Sequence, residues 1–357
     1  MTGRGIDQIL PHPSDPQIHE PMVRSAKEYV RLAEQVNGRI PYPVNFDYVW
    51  GAALDALRSG GPALYIVNLE TAITCSENFL SKGINYRMSP ENGGCLKAAG
   101  IDVCLLANNH IFDWSEAGLI ETLDTLERLK IKGAGAGRNI VEARRPVVID
   151  AGQSRRVIVY AAASVTSGTP HCWKAREGTP GVNVLRDLSD TSALKIASQI
   201  AEIKRPGDIV IVSIHWGPNW GYLIPQEQVR FAHRLIEEAG VSVVFGHSSH
   251  HPKAIERYRN RLIFYGCGDF LNDYEGISGY EQYRHDLVLL YAITFDASSE
   301  EPDQLELVPF QIRRFQLTQP AADDAAWLQR TIDRENSRHA ARIAVQSAFE
   351  IQKAAQF

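Results

Sequence analysis

The sequence predicts an α/β fold whose strands are mainly parallel, and three observations support this prediction. Hydrophobic runs of strand length, such as 103–107 and 209–214, suit the interior of a sheet that is covered on both faces. Segments of helical periodicity separate these runs, as connections between parallel strands require. Four of the runs end abruptly in polar side chains. Because open α/β sheets bind ligands beyond the carboxyl ends of their strands, we expect a ligand site at that edge.

Helical and strand patterns alternate through the first half of the chain. We expect a loop over 1–7, an extended segment over 11–22, helices over 24–35, 45–57, 90–99 and 116–130, and strands over 63–70, 101–107, 146–150 and 156–163. Asn45 and Ser115 are expected to cap the second and fourth helices with their short polar side chains. The glycine-rich segment 131–137 lacks the lysine of a phosphate-binding loop, so a strand and tight turn are favoured over a phosphate cradle.

The second half continues the alternation and then changes character. Helices are expected over 188–203 and 225–239, strands over 208–215, 241–247, 261–267, 287–295 and 304–316, and closing helices over 322–334 and 337–354. The last two strands are expected to be antiparallel. No internal repeat or linker of low complexity interrupts the chain. We therefore expect one domain over 1–318 and a helical appendage over 319–357.

The composition excludes several classes of protein. The 357 residues are 44% hydrophobic and 22% charged, which is ordinary for a globular domain. A net charge of -5 and a pI near 6.1 provide no basic surface for nucleic acid or an anionic membrane. Five cysteines without a CxxC pair favour a reducing compartment. Without a run of transmembrane length or a signal-peptide core, the chain is expected to be cytoplasmic, with no integral membrane segment.

The ends of the four polar-terminated runs supply candidate metal ligands. They carry Asn68 and Glu70; Asn108, Asn109, His110 and Asp113; His215; and His247, His250 and His251. Imidazole, carboxylate and amide oxygen without thiolate suit Mn, Fe or Zn better than a structural zinc cage. Two such ions at ~3.5–4 Å can clamp the attacking and leaving oxygens of a hydrolysis. A single histidine at a strand end is usually structural, but three strands that end alike favour ligands.

Three stretches of the chain resemble a known family. They read PENGGCLKAAGIDVCLLANNHIFDWSEAGLIETLDTL, HWG and GHSSHHPKAIERYRNRLIFYGCGDF. They are similar to the CapA-type poly-γ-glutamate capsule-synthesis proteins of the calcineurin-like metallophosphoesterase superfamily, over residues 1–275. The resemblance implies a metallophosphatase-like four-layer αββα sandwich with mixed sheets, followed by the C-terminal helices.

The resemblance also implies roles for the site residues. Two divalent metal ions (Mn, Fe or Zn) would be bound by Glu70, Asn109, His215, His247 and His250, with Glu70 where the superfamily usually has a bridging aspartate. His110 would be the acid or electrophile beside the substrate, and Asp113 would orient it. Asn108 and His251 are expected to be structural neighbours of the ligands.

The substrate is expected to be an anionic small molecule or a peptide-like molecule. The candidate substrate-binding residues are Arg4, Arg87, Asn68 and Asp269. A guanidinium can grip a carboxylate or phosphate in a bidentate manner, although a surface ion pair is an equal alternative for either arginine. No partner protein and no oligomeric state follow from the sequence.

The chain departs from the family pattern at three places. Family members open with a strand that ends in a Gly-Asp pair, and this aspartate is a metal ligand; here the sequence begins after that point, and a misassigned start is favoured. The acid that follows the HWG segment is replaced by Asn219. The usual Gly-Asn-Phe is Gly268-Asp269-Phe270. Because these positions surround the expected pocket, the substrate is expected to differ from that of capsule-forming relatives.

These observations predict a metal-dependent hydrolase of a phosphoester or a related amide bond, linked to capsule or poly-γ-glutamate metabolism. A second hypothesis is a metal-dependent epimerase or proton-transfer enzyme, in which His285 or Asp273 acts as acid or base, since Lewis-acidic ions also stabilise enolates. A third is a binding or assembly protein with a degenerate metal site. Fold resemblance alone does not decide between them.

Overall fold

The computed structural model describes residues 1–59, 64–152, 155–296 and 299–343. Its helices are α1 Gly5–Ile9, α2 Lys27–Asn37, α3 Ala53–Ser59, α4 Gly94–Ala98, α5 Ser115–Arg128, α6 Ile140–Arg144, α7 Asp190–Ala201, α8 Gln226–Ala239 and α9 Ala322–Ile343. Its strands are β1 Ile66–Asn68, β2 Ala72–Ile73, β3 Arg87–Met88, β4 Val103–Leu105, β5 Lys132–Ala134, β6 Ala136–Gly137, β7 Val147–Asp150, β8 Arg156–Ala163, β9 Gly181–Val182, β10 Ile209–His215, β11 Val243–His247, β12 Ile255–Tyr258, β13 Arg261–Phe264, β14 Leu287–Phe295, β15 Pro302–Arg313 and β16 Gln316–Thr318. The α/β prediction is confirmed.

Two sheets with parallel centres carry the fold. The smaller has the order β1-β4-β5 and is parallel throughout. The larger has the order β12-β13-β11-β10-β8-β7, in which the four central strands are parallel and the two edge strands antiparallel. A third sheet, β14-β15-β16, is antiparallel, as predicted for the strands after 287. The sheets are therefore mixed, as the resemblance implied.

The alternation of side chains along β8 separates the layers. Val157 and Val159 pack into the core shared with the smaller sheet, whereas Ile158 and Tyr160 face the opposite core, against α7 and α8. This is the period of two expected for a strand buried on both faces. With α5 packed beyond the smaller sheet, the layers follow the order helix, sheet, sheet, helix. The four-layer expectation is confirmed.

The predicted helix over 45–57 is wrong because a glycine interrupts it. A 3-10 turn at Tyr48–Trp50 precedes α3, and Gly51 between them has φ 42°. A Cβ at Gly51 would lie 2.2 Å from the carbonyl oxygen of Leu317, and the Ala52 N–H donates to that same oxygen. Contact with β16 therefore decides this bend. Asn45 is exposed in the structure and makes no cap with its side chain.

Three other local expectations need correction. Ser115 begins α5 with φ 59° and donates its hydroxyl to the Asn78 carbonyl oxygen, so it is not a side-chain cap. Residues 5–7, expected in a loop, belong to the short helix α1, Gly5–Ile9. The chain also does not break near 335. The helix α9 continues through Asn336, whose side-chain oxygen accepts from the Ile255 N–H on edge strand β12. Residues 344–354 of the second predicted helix lie outside the described residues.

The glycine-rich segment is a strand and turn, as favoured. Gly135, between β5 and β6, has φ 96°, and a Cβ there would lie 2.6 Å from that of Ala107. The glycine is required by close packing rather than by a phosphate. Within the described parts of the chain, no helix is long and apolar enough to cross a membrane.

A buried carboxylate joins the C-terminal helix to the sheet. Glu256 on β12 accepts hydrogen bonds from His233 of α8 at 2.8 Å, His339 of α9 at 3.0 Å and the Tyr265 hydroxyl at 2.6 Å. Burial alone would raise the pKa of Glu256, but these hydrogen bonds outweigh it and lower the pKa to about 2.

We expect the Glu256 network to make stability sensitive to acid. Because the folded-state pKa is lowered, the stabilisation is fully present above the unfolded-state value near 4.5 and is lost as the pH falls towards 2. Glu256→Gln should cost on the order of 2–3 kcal/mol at pH 7 and flatten the decline in urea-unfolding free energy between pH 5 and 3. The exposed Glu177→Gln serves as the control. An unchanged acid profile in Glu256→Gln would contradict the assignment.

Candidate functional site

The register of the larger sheet places two histidines side by side. His215 ends β10 and pairs with His247, which ends β11. Side chains two residues apart on a strand share one face of the sheet. His215, His247 and Ser213 therefore lie on the face of the larger sheet that packs against the smaller sheet. The Nδ1 atoms of His215 and His247 are 2.6 Å apart, and Ser213 Oγ is 2.6 Å from His247 Nε2. The predicted strand-end histidines therefore do meet between the sheets.

Asn109 connects these histidines to the smaller sheet. Its Oδ1 lies 3.1 Å from His215 Nε2, so His215 donates there and accepts at Nδ1 from His247. Glu70 Oε1 lies 3.8 Å from the same His215 nitrogen. Asn68 donates to the other Glu70 oxygen at 2.7 Å. Three predicted residues, His247, His215 and Asn109, thus form one hydrogen-bonded chain, and the Asn68–Glu70 pair lies beside it.

Asn108 shapes the turn that presents Asn109 and His110. Its side-chain oxygen accepts from the N–H groups of His110 and Ile111 at 3.1 and 3.0 Å. Its amide donates to Asn68 Oδ1 at 3.0 Å. Asparagine suits such a turn because its side chain can bond to the backbone two residues on. The structural role expected for Asn108 agrees with these contacts.

His110 and Asp113 form a buried pair, which a lysine joins. His110 Nδ1 is 2.7 Å from Asp113 Oδ2, and Asp113 is fully buried. The same carboxylate accepts from the Tyr86 N–H at 2.7 Å and from the Lys82 ammonium at 2.6 Å. An ionised carboxylate only accepts, so Nδ1 of His110 carries the proton and Nε2 has the free lone pair. Sequence reasoning assigned no role to Lys82, since a lysine in a polar loop has no spacing signal.

His250 lies opposite, beside Asp269. Its Nδ1 is 3.1 and 3.2 Å from the two Asp269 oxygens, and its Nε2 is 3.4 Å from the Tyr274 hydroxyl. Asn272 donates to Asp269 at 3.0 Å. Asp269, which was predicted to bind substrate, therefore contacts a predicted metal ligand. His251 packs against Tyr222 and Tyr283 and accepts from the Gly221 N–H, as a structural neighbour does.

Burial sets the charge state of the site. It lowers the pKa of His110 to about 4 and that of His247 to about 3, and it holds the pKa of His215 well below its usual value. Burial likewise raises the pKa of Glu70 to about 7. For His250, burial works towards a lower pKa, but the neighbouring Asp269 carboxylate prevails and raises it. At neutral pH, three of the four imidazoles are therefore uncharged.

The two arginines predicted to bind substrate are engaged elsewhere. Arg4 is buried, donates to both Asp273 oxygens at 2.8 and 2.6 Å, and pairs with Glu20 at 2.9 Å. Arg87 donates to the carbonyl oxygens of Ser76 and Asp15 at 3.0 and 2.9 Å. Neither guanidinium contacts the histidines.

Of the two residues considered for proton transfer, Asp273 is held by other groups, whereas His285 is bonded at only one ring nitrogen and its Nδ1 has no hydrogen-bond partner among the described residues. Asp273 is held by Arg4 and by the Gly5 N–H at 2.9 Å. His285 Nε2 lies 3.3 Å from the Tyr274 carbonyl oxygen. Asn219, which replaces the family's acid, is exposed, and its carbonyl oxygen accepts from the His250 N–H. None of these contacts directs a free acid or base towards His110.

The donors fit divalent ions in kind. Neutral imidazoles, a carboxylate and an amide oxygen are the ligands that Mn, Fe and Zn accept. A cation would also relieve the cost of the buried Glu70, whose pKa is raised. As they stand, the donors bond to one another, and over the described ranges no group of three or more acidic, imidazole or thiol side chains is arranged to hold a metal ion. Ion binding would have to replace the bond between His215 and His247.

Comparison with known proteins gives consistent results. The family described as "Bacterial capsule synthesis protein PGA_cap" matches residues 1–274. A probable polyglutamine synthesis accessory protein of Mycobacterium tuberculosis is 46% identical over 345 residues, which is 96% of this chain and 90% of that protein. The PGA biosynthesis protein CapA of Bacillus subtilis is 26% identical over 270 residues, 75% of this chain and 66% of that protein. The capsule biosynthesis protein CapA of Bacillus anthracis is 26% identical over 196 residues, 54% of this chain and 45% of its own length.

We expect Asp113 to be a structural requirement of the site. Asp113→Asn removes the anionic acceptor shared by Lys82, His110 and the Tyr86 N–H, and should lower the free energy of unfolding by roughly 2–3 kcal/mol. Urea denaturation measures the loss. Asp124→Asn, which breaks a surface ion pair with Arg138, should cost less than about 1 kcal/mol. Equal effects of the two substitutions would argue against the special position of Asp113.

Proposed function

We propose that this chain, which belongs to the bacterial capsule synthesis protein family, is a metal-dependent hydrolase of a phosphoester or related amide bond. The names of its relatives point to polyglutamine and PGA synthesis, so the proposed substrate is an anionic or peptide-like molecule of such a polymer pathway. One observation carries the proposal: the uncharged His215 and His247 lie beside Glu70, and His215 bonds to Asn109, the residue that directly precedes the His110–Asp113 pair.

The ligands of two divalent ions (Mn, Fe or Zn) would be Glu70, Asn109, His215, His247 and His250. The ions would supply Lewis acidity at the scissile bond. Asp269, in contact with His250 Nδ1, would orient that imidazole, as carboxylates commonly do for metal-binding histidines. The uncharged state of His215 and His247 suits this role, because a ligand imidazole must be unprotonated.

His110 would handle a proton of the substrate. Asp113 holds the His110 proton at Nδ1, which leaves Nε2 free to take a proton from an oxygen and to return it to a leaving group. The ring is uncharged at neutral pH, since burial lowers its pKa to about 4. It would therefore act first as an acceptor, and the acid role follows only after it has taken up a proton.

A binding or assembly role is the second candidate. The chain of bonds from Ser213 through His247 and His215 to Asn109 is complete without any ion. The Mycobacterium tuberculosis relative is also named an accessory protein. These two observations favour a partner-binding function if the protein takes up no metal.

We expect metal binding that depends on the paired histidines. The wild-type protein, titrated calorimetrically with Mn²⁺ or Zn²⁺, should bind two ions and release protons near pH 7, because Glu70 is partly protonated there. His247→Ala should weaken binding at least about 10–100-fold, whereas the exposed His171→Ala should not. Failure of the wild type to bind Mn²⁺, Fe²⁺ or Zn²⁺ would contradict the metal assignment and favour the binding role.

We expect the ion-loaded protein to hydrolyse a p-nitrophenyl phosphodiester or a γ-glutamyl anilide. His110→Asn should lower kcat by about 10²–10⁴-fold, because the proton acceptor is lost. His171→Asn is the matched control. No turnover of either substrate would refute the hydrolase proposal, while full activity of His110→Asn would refute only the role of His110.

A further inference from the structure

The substrate proposed above is anionic, yet the arginines predicted to bind it do not contact the histidines. Arg4 satisfies two carboxylates and stacks at 3.7 Å on the Tyr29 ring. Arg87 satisfies two carbonyl oxygens and stacks at 4.1 Å on Trp114. Moving Arg4 towards His110 would leave the buried carboxylates of Glu20 and Asp273 unpaired, at a high cost for charged groups. Moving Arg87 would break two hydrogen bonds and its contact with Trp114. We therefore expect a cation other than Arg4 and Arg87 to bind the anionic group of the substrate.

Lys82 lies where such a cation is needed. Its ammonium donates to the Asn109 carbonyl oxygen and, at 2.6 Å, to Asp113. It therefore sits between a predicted metal ligand and the carboxylate that orients His110. The Lys82 side chain is 23% exposed, whereas that of Asp113 is 0% exposed. Lys82 can thus be reached from solvent without unfolding the site.

The ammonium retains a free donor. It lies 3.3 Å from His110 Nδ1, but that nitrogen carries a proton for Asp113 and has no lone pair to offer. Two of the three ammonium N–H groups have acceptors, and the third has none among the described residues. An anionic oxygen would supply the missing acceptor in a charge-assisted hydrogen bond.

The surrounding loop holds Lys82 in this position. The Leu80 N–H donates to the Asp113 carbonyl oxygen at 2.8 Å, and Asn85 donates to the carbonyl oxygens of both residues at 2.9 and 3.2 Å. On the other side, the Trp173 ring centre lies 5.0 Å from the ammonium. Anchors on both sides in sequence and an aromatic ring reduce the entropy that a lysine loses on binding.

We propose that Lys82 is the anion-binding residue of the substrate site and pairs with a phosphoryl or carboxylate oxygen held beside His110. The assignment rests on the proposed function in that it concerns the substrate of the same site. A compact ammonium can donate to either kind of anionic oxygen without the bidentate geometry that a guanidinium imposes. The same residue therefore serves a phosphate group or a glutamyl carboxylate.

The test measures binding of two anions to the purified full chain by calorimetry. One titration uses inorganic phosphate, and the other uses γ-glutamylglutamate, so that the two sources of the anion are separated. Lys82→Met should weaken binding of at least one anion about tenfold or more. Lys82→Arg should remain within about threefold of the wild type, since the charge is kept. Lys97→Met, at an exposed lysine of α4, is the control and should not change binding.

The outcomes separate this assignment from the hydrolase proposal. Wild-type binding of neither anion, or equal binding by Lys82→Met and wild type, would overturn the role of Lys82. Loss of anion binding in Lys82→Met supports the role even if the wild type hydrolyses nothing, in which case the hydrolase proposal alone fails. Turnover with an unchanged KM in Lys82→Met overturns the role and leaves the hydrolase standing. If Lys82→Met does not fold, Lys82→Gln, which removes the charge but keeps a donor, takes its place.

Discussion

The parallel pairing of β8, β10 and β11 in one register is the constraint on which the site depends. It aligns Ala163, His215 and His247 across three neighbouring strands. A slip of β10 by one residue would turn His215 towards the helices, because successive side chains point to opposite faces. Hydrophobic side chains on both faces of β8 and β10 oppose such a slip. The packing of the core therefore fixes the distance between the two imidazoles.

Burial of polar groups at this edge determines their chemistry. His110 and His247 are uncharged because a charged ring would lose its hydration, and Glu70 is partly protonated near pH 7 for the same reason. His250 is the exception, because the neighbouring Asp269 raises its pKa. The site consequently combines uncharged imidazoles with the partly exposed ammonium of Lys82.

Particular residues show how far sequence reasoning reaches. The strands at 103–105 and 209–215, the placement of His110 beside Asp113, and the structural use of Asn108 all follow local patterns of hydrophobicity and turn chemistry. The helix over 45–57 did not form, because the approach of Leu317 bends the chain at Gly51. Arg4 and Arg87 carry the right charge, but residues distant in the sequence bind their guanidinium groups.

The sequence by itself determined the α/β class, the main parallel strands and the histidines at their ends, because periodicity and turn signals act over a few neighbouring residues. Only the tertiary structure decided which polar groups bond to one another. Asp273 lies 269 residues from Arg4, and Asn109 lies 106 residues from His215. Local sequence patterns cannot reveal such pairs, because each residue has the same sequence neighbours whether or not the two residues meet in the fold. Lys82 became a candidate only once the folded loop had brought it to Asp113.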